Sequence, residues 1–500
     1  MDCDRDQLFL LPPSMRDWLP EAHLAFFVID VVSMIDTSAF HAPHPNDGAG
    51  RPAYHPEMML ALLLYSYCSG MRSSRRIERA CRVDVACRVI CANNMPDHVT
   101  IARFRAENEK AIEKVFVDVV GLCAAAGLAS LGRIAIDGTK IGSDAALDAN
   151  RDAEWIRAQI AEILAEAEAA DAAEASQPGL GEDMVAPGPL RGRATRLAHL
   201  QAALAEAESQ EQAVQADQAA RAAKAAAHAA DGRKLRGRKP SDPHAAALRA
   251  EADLAATKVT AARHPTSNGV AEKVADAEQR LAEAKRTAAA APAAKIQVNV
   301  TDPDSRIMKT QQGWIQGYNV QAAVNEHQIV IAAAATQDHN DSNQPVAMMA
   351  ATVETATAAG IHEQVGLVLA DAGYWGEDNA TAEGPDRLIA TTKDWKQHRA
   401  AREMGTTVGP APPTATTLEA MEHRLRTKEG AEAYVTRSHT VEPVFGDAKQ
   451  NRGFRRFMRR GLAAVESETK LIFATHNIRK VSHHNPSVVF AAAQRTVVPT

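Results

Sequence analysis

Cysteine is scarce in this chain, six in 500 residues, which is too few at that length for a disulfide scaffold. Only Cys81, Cys87 and Cys91 lie near one another; they sit in a helical pattern without the paired short intervals of a zinc site, and His98 alone is nearby. They read as buried thiols. Long apolar runs are lacking as well. The best, Met58 to Tyr65, falls well short of the roughly 20 residues that cross a bilayer. The opening Met1-Asp2-Cys3-Asp4-Arg5-Asp6 puts acids where a secretory signal needs bases. A cytoplasmic protein with no membrane partner is expected. Net positive charge is the third absence: 62 acidic against 56 basic residues leave −6, which on average excludes a general binder of polyanions.

The distribution of charge says more than its sum. From Arg72 to Arg105 eight arginines oppose three acids, and from Arg437 to Lys480 ten basic residues oppose four. Both blocks suit contact with phosphates. Five hundred residues also exceed what one core organises, so two or three domains are expected.

From about Trp18 to Leu128 the pattern is helical, with Met59, Leu62, Leu63 and Tyr65 crowding one stripe and Ile77, Ala80 and Cys81 continuing it. Asn93 to Asp97 breaks it, and Thr100 is placed to cap a following helix that carries Arg103 and Arg105. This is a helix-turn-helix pattern; a basic solvated face on an ordinary helical bundle fits the same residues.

Next, Arg133 to Ile136 reads as a short strand that ends in Asp137-Gly138-Thr139-Lys140. A long alanine-rich stretch follows, from Trp155 to Ala291. Ile156, Ile160, Ile163 and Leu164 mark one helix in it, and Leu197, Leu200 and Leu204 another. Breaks at Pro178 to Gly192, Gly232 to Pro243 and His264 to Gly269 divide this arm into roughly four helices. Strand patterns resume at Ile296 to Val300, Gly317 to Val324, Gln328 to Ala332, Val365 to Ala370 and Arg387 to Thr391, with a hairpin across Asn325-Glu326-His327. The alternation implies a mixed α/β domain.

Asp137 and Asp371 each directly follow an apolar strand, and ligands in open α/β sheets gather beyond strand ends. Pro443 belongs in the first turn of a helix, which sets that helix's start near His439 or Thr440 and places Glu442 at its opening. Lys449, seven residues on and about two helical turns away, shares its face. The surrounding Arg452, Arg455, Arg456, Arg459 and Arg460 favour phosphate contact over a solvated ion-pair helix. Carboxylates from two strand ends and a helix can hold two Mg²⁺ ions, with Mn²⁺ as a substitute, for in-line attack on a phosphodiester.

These residues resemble the DDE transposases of bacterial insertion sequences. Ile136 to Lys140 is similar to the family's first-Asp motif, Gly317 to Gln321 to its strand motif after a helical insertion, and Asp371 to Tyr374 to its second-Asp motif. Tyr434, Arg437, Glu442 and Lys449 resemble the Tyr-Arg-Glu-Lys signature, with one residue more between Arg437 and Glu442 than its commonest spacing. The resemblance implies a ribonuclease-H-like mixed sheet over 129–150 and 293–480, an all-α DNA-binding domain over 1–128, a helical insertion over 151–292 and a tail over 481–500. It implies catalytic and metal-binding roles for Asp137, Asp371 and Glu442. Arg437 and Lys449 are implied to contact DNA phosphates, with Tyr434, Arg452, Arg455, Arg456, Arg103 and Arg105 in the DNA-binding set. The implied partners are double-stranded DNA with terminal inverted repeats, a target DNA and a second copy of the chain, and the location is the nucleoid when bound.

Arg236 and Arg238, in Arg-Gly-Arg-Lys-Pro, suit an A·T-rich minor groove; a solvated basic loop fits them too. Asp338 and Asp341 read as Asx-turn residues beside His339, and His483-His484 as exposed. An Asp-nucleophile phosphatase needs a second Asp where Ala135 stands, which makes that a weak reading. The remaining alternative is a transposase-derived DNA-binding protein that no longer cuts.

Overall fold

Apolar residues at helical spacing fold as α1 (Leu24–Met34), α2 (Pro56–Cys68), α3 (Ser74–Val83), α4 (Val85–Ile90), α5 (His98–Glu107) and α6 (Glu109–Ala125). The structure, a computed structural model, describes residues 14–41, 53–175, 189–234, 240, 242–265, 269–291, 295–392 and 405–484. Pro56 opens α2, where its missing N–H costs nothing. That helix is buried all round, Leu60, Ala61 and Leu64 as fully as Met59, Leu62 and Leu63, so it is a central helix and not the one-sided stripe expected. Ala92 and Asn93 adopt left-handed backbone at the reversal after α4. The cap of α5 is Asp97, whose carboxylate accepts from the Thr100 amide at 2.8 Å. Thr100 is therefore inside the helix and not its cap, because the carboxylate three residues back already satisfies its amide.

The chain forms two compact units, Met1–Leu147 with Asp304–Thr500, and Asp148–Pro303. In the second, β2 (Asn150–Asp152) pairs antiparallel with β3 (Gln297–Asn299). Between them run α7 (Ala153–Ala175), α8 (Pro189–Ala230), α9 (Pro243–Arg263) and α10 (Val270–Ala290). Ile156, Ile163, Leu200, Ala203, Ala207 and Val298 form its small core, with Ile160, Leu197 and Leu204 packed against it. Leu164, expected on the same stripe, is exposed. The β2–β3 pair brings both ends of the insertion together, and this unit spans Asp148–Pro303, a few residues beyond the expected 151–292 at each end.

The first unit is built on a six-stranded mixed sheet. Its strands are β1 (Arg133–Gly142), β4 (Arg306–Thr310), β5 (Gly313–Asn325), β6 (Val330–Thr336), β7 (Leu367–Ala370) and β8 (Asp386–Ile389). The order is β4-β5-β1-β7-β8, with β6 also on β5. β5 runs antiparallel to β1, β4 and β6, whereas β7 is parallel to β1 and β8 parallel to β7. α11 (Pro345–Ala358) makes the crossover into β7. The carboxyl-terminal helices are α13 (Thr417–Arg426), α14 (Lys428–Gly446) and α15 (Leu462–His484), and the short α12 (Glu377–Thr381) precedes β8. α15 packs on α2, α6 and β6. One hydrophobic core thus runs through α1–α6, the sheet and α15. Among the described residues no helix is long and apolar enough to cross a membrane.

Candidate active site

Parallel pairing of β1 with β7 ends at Ala135 opposite Leu369. Asp137 and Asp371 each lie two residues further on, and two residues restore the same face of a strand, so the register sets the two carboxylates side by side. Their settings differ. Asp371 follows the last residue of β7, where its Oδ1 accepts from the Gly373 amide at 2.7 Å. Asp137 lies in the middle of β1, not at its end, because pairing with β5 continues through Asp137 opposite Ala322 to Gly142 opposite Gly317.

Arg437 joins them. Its Nη2 stands 2.9 Å from Asp137 Oδ2 and 3.9 Å from Asp371 Oδ2, with the side chain 3% exposed. Burial would lower the guanidinium pKa, but the charges of Asp137 and Asp371 raise it overall, so the arginine stays charged. Two buried tyrosines line the same place. Burial pushes the Tyr434 hydroxyl up to about 12, with Arg437 opposing and Asp371 and Asp137 adding. Tyr374 is raised well above the usual phenol range by burial and then by Asp341, Asp137 and Asp371. Tyr434 Oη and Arg437 Nε are buried with no hydrogen-bond partner among the described residues, a polarity left over for a ligand.

α14 starts at Lys428, capped by the Thr427 hydroxyl, and Pro443 lies inside it. The expected start near His439 or Thr440 is thus about three turns too late. A proline in a helix leaves the carbonyl four residues back without its donor, and here the Gln328 side-chain amide donates to His439 O at 2.8 Å. Gln328 itself adopts left-handed backbone at the β5–β6 hairpin. Glu442 is exposed on this helix. A π-helical turn over Asp447–Asn451 follows at once, so Lys449 does not share Glu442's face by regular α geometry. Lys449 instead turns inward, where Nζ donates to Thr139 Oγ1 and, at 2.8 Å, to Lys140 O. Burial, then the charge of Arg455, lowers its pKa.

The arginines divide by burial. Arg105 is buried and donates to Tyr67 Oη, Arg72 O and Ser74 Oγ; Arg452 is buried against Asp447 at 2.9 Å. Both are committed to the fold where a surface position was expected. Arg103, Arg455 and Arg456 are exposed. Residues 455–457 run beside the end of β1: Gly142 N donates to Arg455 O at 3.0 Å and Phe457 N to Gly142 O at 2.7 Å. This lays the basic segment along the strand that carries Asp137. Arg236 and Arg238 lie outside the described residues.

Asp341, expected as an Asx-turn residue, lies beside this site. Its Oδ1 accepts from Asn319 Nδ2 at 2.8 Å and Gln321 Nε2 at 2.7 Å, so it closes on the sheet instead of on its own backbone. The available signal was the polar Asn319 and Gln321 in an otherwise apolar β5. Buried amides need partners.

In kind, carboxylate oxygens are donors that suit a hard divalent cation, and here the Arg437 guanidinium lies against them. Among the described residues, no three Asp, Glu, His or Cys side chains are grouped closely enough to hold a metal.

The site is thus a mixed sheet that aligns two aspartates on one buried arginine, with exposed arginines beside the strand that carries Asp137. Two family models match the chain. Residues 13–107 match "Transposase domain (DUF772)" and residues 393–482 match "Transposase DDE domain". Both segments are thus similar to transposase domains. Tyr434, Arg437, Glu442 and Lys449 fall inside the second match, whereas Asp137 and Asp371 fall outside both. No curated protein and no solved structure matches it.

Proposed function

We propose that this transposase cuts and rejoins DNA strands at the ends of an insertion sequence, with Asp137, Asp371 and Glu442 as its metal-binding carboxylates. The observation that carries the reading is the convergence of Asp137 and Asp371 on Arg437. The mixed sheet with β1 at its centre supports a ribonuclease-H-like domain. The substrates are double-stranded DNA with terminal inverted repeats and a target duplex, handled by two copies of the chain on DNA.

Bound Mg²⁺, or Mn²⁺ in its place, would activate the attacking water or DNA hydroxyl and stabilise the leaving oxygen. Asp137 and Asp371 would hold it, with Glu442 as the third carboxylate by resemblance. Arg437 balances their charge from within the protein, and Lys449 fixes the strand just beyond Asp137. Arg103, Arg455 and Arg456 are the exposed cations for backbone phosphates. The test is Mg²⁺-dependent nicking of DNA that carries the element's ends. Asp137→Ala should lose cutting and keep binding, and a wild-type protein that binds these ends without ever cutting them would contradict the reading.

A further inference from the structure

The glycines of the two aspartate motifs share one neighbour. Neither Gly138 nor Gly373 has the left-handed backbone that requires glycine, so space and not conformation accounts for them. A Cβ on Gly138 would collide with Gln321 Nε2 and Asp341 Oδ1. A Cβ on Gly373 would stand 2.9 Å from Asp371 Oδ1 and 3.6 Å from Asp341 Oδ2. The Asp341 carboxylate therefore fills the room left at Gly138, directly after Asp137, and lies in van der Waals contact with the place of the missing side chain at Gly373, where Asp371 Oδ1 is the closer neighbour.

Its hold on the sheet is specific. Gly138 pairs with Gln321 across β1 and β5, on the side opposite Asp137, since neighbouring residues of a strand face opposite ways. Asp341 thus backs β1 from behind. One of its oxygens is fixed by Asn319 and Gln321, and the Gln321 side-chain carbonyl in turn accepts from the Tyr374 hydroxyl. Tyr374 belongs to the same 3₁₀ turn as Gly373, whose amide fixes Asp371. One carboxylate is in this way tied to the backbone of the first motif and to the turn of the second.

We propose that Asp341 is a positioning residue that sets the spacing between Asp137 and Asp371, and through it the affinity of the site for a divalent cation. The inference rests on the reading of Asp137 and Asp371 as metal carboxylates. Partners behind metal-ligating groups typically change affinity by about 10- to 100-fold when removed.

The experiment is calorimetric titration of the full chain with Mn²⁺ for wild type, Asp341→Ala, Asp341→Asn, Gly138→Ala and Asp137→Ala, with melting temperatures measured without metal. Asp341→Ala should weaken Mn²⁺ binding about tenfold or more. Gly138→Ala, which pushes the carboxylate out while retaining it, should do the same, and Asp341→Asn, which keeps an oxygen for the β5 amides, should recover part of the loss. A folded Asp341→Ala protein with wild-type Mn²⁺ affinity would overturn the proposal. If Asp341→Ala fails to fold, wild-type affinity in Gly138→Ala and Asp341→Asn overturns it equally. Should wild type and Asp137→Ala bind Mn²⁺ alike, the metal reading of the aspartates fails, and this inference falls with it.

Discussion

Arg437 places one guanidinium nitrogen 2.9 Å from Asp137 and 3.9 Å from Asp371, almost entirely out of solvent. It is a positive group that the two carboxylates share. Removing one partner of a buried ion pair typically costs about 3–5 kcal/mol, because the other charge stays buried and unpaired. Arg437→Gln should therefore lower metal-free stability by about 3 kcal/mol. Added Mn²⁺ should raise its melting temperature by more than it raises that of wild type. Equal metal-dependent shifts in the two proteins would remove Arg437 from the charge balance of the site.

The turn after α14 carries a second charged cluster. Asp447 meets Arg452 at 2.9 Å, Arg479 at 3.2 Å and His476 at 3.3 Å. Burial alone would raise its pKa, but the His476 hydrogen bond, the Arg452 charge and the Asn451 amide hold it well below the usual carboxylate range. Since the folded-state pKa is depressed, the stabilisation is present above the unfolded-state pKa of about 3.9 and is lost as pH falls below it. Urea denaturation from pH 6 down to about pH 3 should show wild type losing stability steeply at the acid end. Asp447→Asn should be less stable at neutral pH and flatter with pH; parallel curves would contradict the assignment.

Buried and exposed arginines should separate in a salt titration of DNA binding. Arg455→Ala and Arg456→Ala should each lower affinity across DNA sequences and reduce the slope of log affinity against log salt by about 1. Arg105→Ala should leave that slope unchanged and lower the melting temperature, because its guanidinium is spent on Tyr67, Arg72 and Ser74. A lower slope in Arg105→Ala would place it on DNA after all.

Gln328 is the donor that lets α14 run through Pro443. Gln328→Ala should cost about 0.5–1.5 kcal/mol, the net worth of an ordinary hydrogen bond, since the His439 carbonyl lies at an exposed position. Combining it with Pro443→Ala should recover part of that, since alanine in place of the proline supplies the missing helical amide. A double substitution no more stable than Gln328→Ala alone would show that the His439 carbonyl is not the reason.

Much of the fold is readable in the chain because strand and helix periods are local. The strands leading to Asp137 and Asp371, the β5–β6 hairpin and the helices of the insertion each announce themselves within a short stretch of sequence. What escapes is whatever depends on a distant partner. Pro443 reads as a helix start until Gln328, more than a hundred positions earlier, accounts for the freed carbonyl. Arg105 and Arg452 look like surface charge until Tyr67 and Asp447 bury them. Asp341 looks like turn chemistry because Asn319 and Gln321, which hold it, lie on another strand. The pairing of Asp137 with Asp371 is of the same long-range kind, and only the β1–β7 register supplies it.

The central claim is that Asp137 and Asp371 act as one unit in strand cleavage. It is tested most directly by the Mg²⁺-dependent cleavage rates of Asp137→Ala, Asp371→Ala and the double substitution at equal DNA occupancy. Residues that act as a unit lose nothing further once one is gone, so the double variant should be no slower than either single one. Losses that multiply in the double variant would contradict the account.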